Sequence, residues 1–163
     1  MDINDTALRY IENRAHTKKE MKDHLLKKGF AEADADDAVK RLSDVRYLDD
    51  VSYSAQFLKY GFGKGWSVNR VKQELRKRGV ADNDIAQGIY VYEDEYETDV
   101  ESGEAERAYA QAEKFMKTAE TADQKTMGRL GRRLAGFGYA PGVVYKTVGA
   151  VMEKYQKDDE DEQ

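Results

Sequence analysis

Ser67-Val68-Asn69-Arg70-Val71-Lys72-Gln73-Glu74-Leu75-Arg76-Lys77-Arg78-Gly79-Val80 is the stretch that decides the fold. It opens on a hydroxyl residue, whose side chain can accept an orphan backbone N–H at a helix start. Val71 and Leu75, four apart, make an apolar stripe. Gly79 stops the helix, because a left-handed turn is cheap only without a Cβ. Val80 is placed to pack back on that turn. The same order occurs twice more: Thr17, Met21, Leu25, Gly29, Phe30, and Thr126, Leu130, Leu134, Gly138, Tyr139. Beyond each glycine lies a second stripe at helical spacing. Its members are Ala35, Val39 and Leu42, then Ile85, Ile89 and Tyr92, then Val144, Val148 and Val151. Thr17 and Glu20 have capping-box spacing. Asp34 and Asp82 are the expected caps of the second helices, and Pro141 suits a first helical turn.

A further helix precedes each pair. It is expected over Asn4 to Ala15 with Leu8 and Ile11 inward, and over Asp50 to Tyr60 with Tyr53, Phe57 and Leu58 inward. The third is expected to be longer, Tyr96 to Ala119, with Ala108, Ala112, Phe115 and Met116 inward. The pattern predicts an all-α chain of three tandem three-helix, helix-turn-helix-like repeats forming an extended, curved array. Their bounds are 4–46, 47–93 and 94–157, followed by an acidic disordered tail, 158–163.

Composition excludes several classes of chemistry. The chain has no Cys, hence no disulfide, thiolate metal site or cysteine nucleophile. His16 and His24 are the only histidines, too few for a zinc site, and neither metal nor cofactor is expected. His16 is expected to be half exposed. No apolar run resembles a signal peptide or a membrane span, so a cytoplasmic protein is expected. The net charge of −5 argues against indiscriminate DNA coating. The cations are nevertheless clustered. Lys64, Arg70, Lys72, Arg76, Lys77 and Arg78 surround one acid, Glu74, and Arg129, Arg132 and Arg133 form a second group.

The order of motifs around the middle repeat resembles the RecX regulatory family. Arg46-Tyr47-Leu48-Asp49-Asp50 resembles that family's Tyr-Leu-Asp-Asp motif. Lys64-Gly65-Trp66-Ser67 follows, then Glu74-Leu75-Arg76-Lys77-Arg78-Gly79-Val80, similar to the family's helix end. Ala7-Leu8, Arg14, Glu20, Leu25 and Lys28-Gly29-Phe30 fit the first repeat, and the resemblance spans Ala7 to Lys154. The third repeat departs from it, with Phe137-Gly138-Tyr139 at the turn where the family has Arg-Gly-Phe. The resemblance implies a non-enzymatic protein that binds the RecA filament on single-stranded DNA, within DNA repair and the SOS response, and reduces its ATP hydrolysis and strand exchange.

The residues expected to meet filament or DNA are Lys64, Trp66, Arg70, Arg76, Lys77, Arg78, Arg129, Arg132 and Arg133. Basic residues at a helix end also complement the dipole, which accounts equally for Arg76 to Arg78. Trp66 is either a staple for the next helix or an interaction anchor. Asp49 and Asp50 read as a helix cap and a first-turn acid rather than a catalytic pair. Tyr47 and Leu48 read as an apolar lead-in packing between units. Tyr53, Tyr92 and Tyr145 fall on apolar stripes and are expected in the core. The competing reading is a helix-turn-helix DNA-binding module acting without RecA. DNA binding, single- or double-stranded, is expected to be weak, and the protein monomeric.

Overall fold

The hydroxyl-to-glycine segments fold as helices with the register that their stripes require. The structure, a computed structural model, describes residues 1–161. In chain order the helices are α1 (Ile3–Asn13), α2 (Lys18–Lys27), α3 (Glu32–Asp44), α4 (Asp50–Gly63), α5 (Val68–Lys77), α6 (Asp82–Tyr96), α7 (Glu104–Met116), α8 (Gln124–Gly136) and α9 (Pro141–Asp161). No strand occurs among the described residues. Met21, Val71 and Leu130 are fully buried, as are Leu25, Leu75 and Leu134. Each leucine so buried contributes about 2 kcal/mol. The three glycines all adopt positive φ, +94° at Gly29, +82° at Gly79 and +94° at Gly138. In each turn the following residue's N–H reaches back to the leucine carbonyl: Phe30 to Leu25, Val80 to Leu75 and Tyr139 to Leu134.

The chain divides into two compact units that do not follow the sequence repeats. One comprises Met1–Leu58 and Lys72–Tyr96, the other Lys59–Val71 and the residues from Glu97 onward. Ala7, Met21, Leu25, Ala35, Ala38 and Leu48 form a core in the first. Ala108, Ala112, Met116, Met127, Leu130, Leu134, Tyr139 and Val151 form one in the second.

Each unit contains one copy of the same seam between helix ends. In the first unit the start of α2 meets the glycine turn after α5. Thr17 Oγ1 donates to the Arg78 carbonyl at 2.7 Å, and the Lys18 N–H donates to Asp50 Oδ1 at 3.0 Å. Lys19 lies over Gly79 so closely that a Cβ there would sit 2.5 Å from Lys19 Cβ. In the second unit the start of α5 meets the turn after α8. The Ser67 N–H donates to the Phe137 carbonyl at 2.9 Å, and the Val68 N–H donates to Glu104 Oε2 at 3.3 Å. A Cβ on Gly138 would sit 2.6 Å from Ser67 Oγ. Asp50 and Glu104 play the same part, each the first residue of its own helix satisfying an orphan N–H of another. Tyr139 completes the second seam by donating to the Gly65 carbonyl at 2.9 Å. Burial, with the Glu104 charge adding, pushes its phenol up to about 12.

Several local expectations are corrected. Thr126 is not a cap: α8 starts a turn earlier, on Asp123, whose side chain accepts the Thr126 N–H at 2.8 Å. Ala31 is the residue before α3 and makes no side-chain cap, while Asp34 and Asp82 lie inside first turns. Helix α7 spans only Glu104–Met116, because Glu97 at φ +49° ends α6 and a turn up to Gly103 intervenes. His16 is buried, closed in by the Tyr10 ring stacked on it at 3.6 Å. Tyr145 is 84% exposed, since α9 buries Thr147 and Val151 on another face. Leu8 and Tyr47 are also exposed, at 42% and 61%. The expected tail is helical through Asp161, as a continuation of α9. Residues 162 and 163 lie outside the described residues.

Candidate functional site

The nine expected contact residues fall into two physical groups. Those of the middle repeat mostly have partners within the chain, although Lys64, Arg76 and Lys77 remain exposed. Arg76 Nε donates to Asp82 Oδ1 at 2.8 Å, tying α5 to the start of α6. Lys77 and Arg78 both pair with Glu74, at 3.3 and 3.1 Å. The Arg78 bond holds the Glu74 carboxyl below its usual range. Arg78 also covers the Phe57 ring at 4.5 Å. Arg70 Nη1 donates to the Gly136 carbonyl at 2.8 Å, capping the end of α8, and its guanidinium lies 4.4 Å over Trp66. Trp66 is half-buried, edge-on to Tyr60, and occupies the space where a Cβ on Gly61 would stand, 3.0 Å away. It acts as the staple of α5. Lys64 is exposed, with its ammonium 5.5 Å from the Tyr60 ring.

The α8 arginines form the other group. Arg129, Arg132 and Arg133 are spaced three and four apart, so they share one helix face. All three are exposed, and none forms an ion pair among the described residues. No acid occurs within α8. The Arg129 guanidinium lies 5.5 Å from the Phe115 ring and that of Arg133 5.3 Å from Phe137. These guanidiniums lie near ring faces on residues that remain exposed, so an anion can still reach them. Sequence reasoning missed Lys125, which is exposed on the same face, four residues before Arg129. Its i, i+4, i+8 relation to Arg129 and Arg133 was the available signal.

The Tyr47–Asp50 motif is a structural joint. Asp49 Oδ1 accepts the Val51 and Ser52 N–H groups, both at 3.1 Å, and so caps α4. Asp50 is buried on the start of α2 as described above. Burial pushes its carboxyl up, opposed by the Lys18 N–H. Leu48 belongs to the first unit's core. Among the described residues no group of three or more His, Asp or Glu side chains is arranged to hold a metal ion. No helix there is long and apolar enough to cross a membrane.

Comparison with known proteins places these features in a family. A family model described as RecX, first three-helix domain, matches residues 5–42, and one described as RecX, second three-helix domain, matches 49–89. The regulatory protein RecX of Clostridium beijerinckii is 28% identical over 152 residues, covering 93% of this chain and 69% of that protein. The regulatory protein RecX of Vibrio campbellii is 29% identical over 136 residues, covering 83% of each. The crystal structure of RecX from Lactobacillus salivarius matches the fold with a TM-score of 0.71 at 18% identity, over 91% of this chain and 93% of that one.

Proposed function

Because the chain belongs to the RecX family of regulatory proteins, we propose that it binds the RecA filament on single-stranded DNA and restrains ATP hydrolysis and strand exchange during DNA repair. The observation that carries this reading is the α8 face. An acidic protein of net charge −5 keeps Arg129, Arg132 and Arg133 exposed and unneutralised among the described residues. Such guanidiniums fit carboxylates or phosphates bidentately, the surface chemistry of a protein filament on DNA. Lys64 is a second available cation. Arg70, Arg76, Lys77, Arg78 and Trp66 serve first as internal joints, and contribute to binding by holding the elements that carry it.

The action requires no chemistry. The protein would bridge or cover filament subunits, as a monomer in the cytoplasm, and change the filament's turnover by occupying it. The test is RecA's single-stranded-DNA-dependent ATP hydrolysis with this protein titrated in. The expected result is a dose-dependent fall. Unchanged hydrolysis while the protein is demonstrably bound to the filament would refute the proposal. The same α8 face suits DNA phosphate, which keeps a second reading: a helix-turn-helix module acting on DNA alone. Tight, sequence-selective binding to duplex DNA without RecA would favour that reading.

A further inference from the structure

Three glycine turns end the middle helices, and two of them are covered. Lys19 covers Gly79, while Ser67 and Arg70 cover Gly138. A Cβ on Gly29 would meet nothing within 4 Å. The carbonyl before each glycine divides the same way. That of Arg78 accepts the Thr17 hydroxyl, and that of Phe137 accepts the Ser67 N–H. That of Lys28 accepts no hydrogen bond among the described residues. The Gly29 turn is otherwise built like the others, with the Phe30 N–H on the Leu25 carbonyl at 3.2 Å. What seats on such a turn is therefore shown twice within this chain. It is the start of a helix bearing a hydroxyl cap.

The surroundings of Gly29 add a charge preference. A cavity of about 460 Å³ opens beside the turn, and its walls include Arg9, Tyr10, His24, Lys28 and Phe30 but no carboxylate. Arg9 and Lys28 form no ion pair among the described residues. Some other cations of the same unit do, Arg14 with Glu20, Lys19 with Asp23, and Lys22 with Glu32 and Asp36, while Lys18, Lys27, Lys40, Arg41 and Arg46 do not; what sets Arg9 and Lys28 apart is their place in the wall of this cavity. An acid in the first turn of an incoming helix would neutralise these groups and suit that helix's own dipole. The helix seated at Gly79 has this form, Thr17 with Glu20 in a capping box. A second copy of the chain is a poor occupant. Its remaining middle-helix start, that of α8, carries its own Asp123 cap and Lys125 rather than an acid in the first turn.

We propose that the Gly29 turn is a docking seat for a helix N-terminus of the protein partner, one with a serine or threonine cap and an acidic first turn. This rests on the reading above that the partner is the RecA filament. The seat supplies a carbonyl acceptor at Lys28, a glycine that permits close approach, and two cations.

The experiment is a titration of fluorescently labelled full chain with RecA filament assembled on poly(dT) with a non-hydrolysable ATP analogue, read by anisotropy. The variants are Arg9→Glu with Lys28→Glu, Gly29→Ala, and Lys40→Glu as a control on α3. The double charge variant should bind at least about tenfold more weakly, with an unchanged thermal midpoint, and the control should bind as wild type. Gly29→Ala should also weaken binding, since its methyl enters the seat. If it fails to fold because of its positive φ, the charge variant decides alone. Wild-type binding by the charge variant overturns the seat and leaves the functional reading standing. An equal loss of binding to bare poly(dT) also overturns it, because the cations would then be serving phosphate. Failure of the wild-type chain to bind the filament brings down the functional reading, and the seat with it.

Discussion

Replacing Thr17 by alanine should cost far more than replacing Ser67, although both are helix caps with no exposed surface. The Thr17 hydroxyl works twice. It accepts the Glu20 N–H at 3.1 Å and donates to the Arg78 carbonyl at 2.7 Å. Losing the cap costs about 1 kcal/mol. Leaving the Arg78 carbonyl without its donor costs a further ~1–3 kcal/mol. Thr17→Ala should therefore destabilise by about 2–4 kcal/mol. The Ser67 hydroxyl accepts only the Arg70 N–H, at 3.1 Å. The bond from Ser67 to the neighbouring turn uses its backbone N–H, which no substitution except proline removes. Ser67→Ala should cost about 1 kcal/mol. Thr17→Ser keeps both bonds and loses one buried methyl, about 0.8 kcal/mol. Urea unfolding followed by far-ultraviolet circular dichroism measures all three. If Ser67→Ala costs as much as Thr17→Ala, or Thr17→Ala costs under about 1 kcal/mol, the double role of the hydroxyl is wrong.

Two further outcomes follow from the surface and from a buried ring. Arg129→Ala, Arg132→Ala and Arg133→Ala combined should leave folding stability within about 1 kcal/mol, since no ion pair is lost; filament affinity should fall at least about tenfold, and its dependence on salt should flatten, as a binding titration at several ionic strengths would read. His16 has its pKa lowered, by burial first and the Arg14 charge second, against the Glu20 carboxylate 3.7 Å away. Its neutral form is the one that folding favours, so its contribution is complete above the unfolded value near 6.5 and is lost as pH falls below it. His24 shifts the same way, through burial and Lys28. His16→Phe keeps a ring against Tyr10 and removes two buried nitrogens that have no hydrogen-bond partner; it should raise stability more at pH 5 than at pH 8, and an equal effect at both would refute the assignment.

Helix positions were legible in the sequence because they depend on local spacing. Leu25, Leu75 and Leu134 stand four residues before a backbone-reversing glycine in every repeat, and burial follows from that period alone. Caps were less legible, because competition among neighbours decides them. Aligning the repeats on glycine placed Thr126 at the start of α8, yet Asp123 three residues earlier accepts the Thr126 N–H and lengthens the helix by a turn. The seams were not legible at all. Thr17 and Arg78 lie 61 residues apart, Arg70 and Gly136 in the second seam 66, and no local pattern announces them. The same holds for the candidate site. Arg70, Arg76 and Arg78 look like Arg129 and Arg132 in sequence, but the former have partners within the protein, while the latter form no ion pair among the described residues.

The offset between compact units and sequence repeats has an evolutionary corollary. Each seam takes a helix beginning from one repeat and a helix ending from the next, so the pattern has no privileged starting point. A duplication that copies one full period, wherever its breakpoints fall, carries one beginning and one ending and can close a new seam. Chain length in such a lineage can then change by unequal crossing-over without cut sites matched to structural borders.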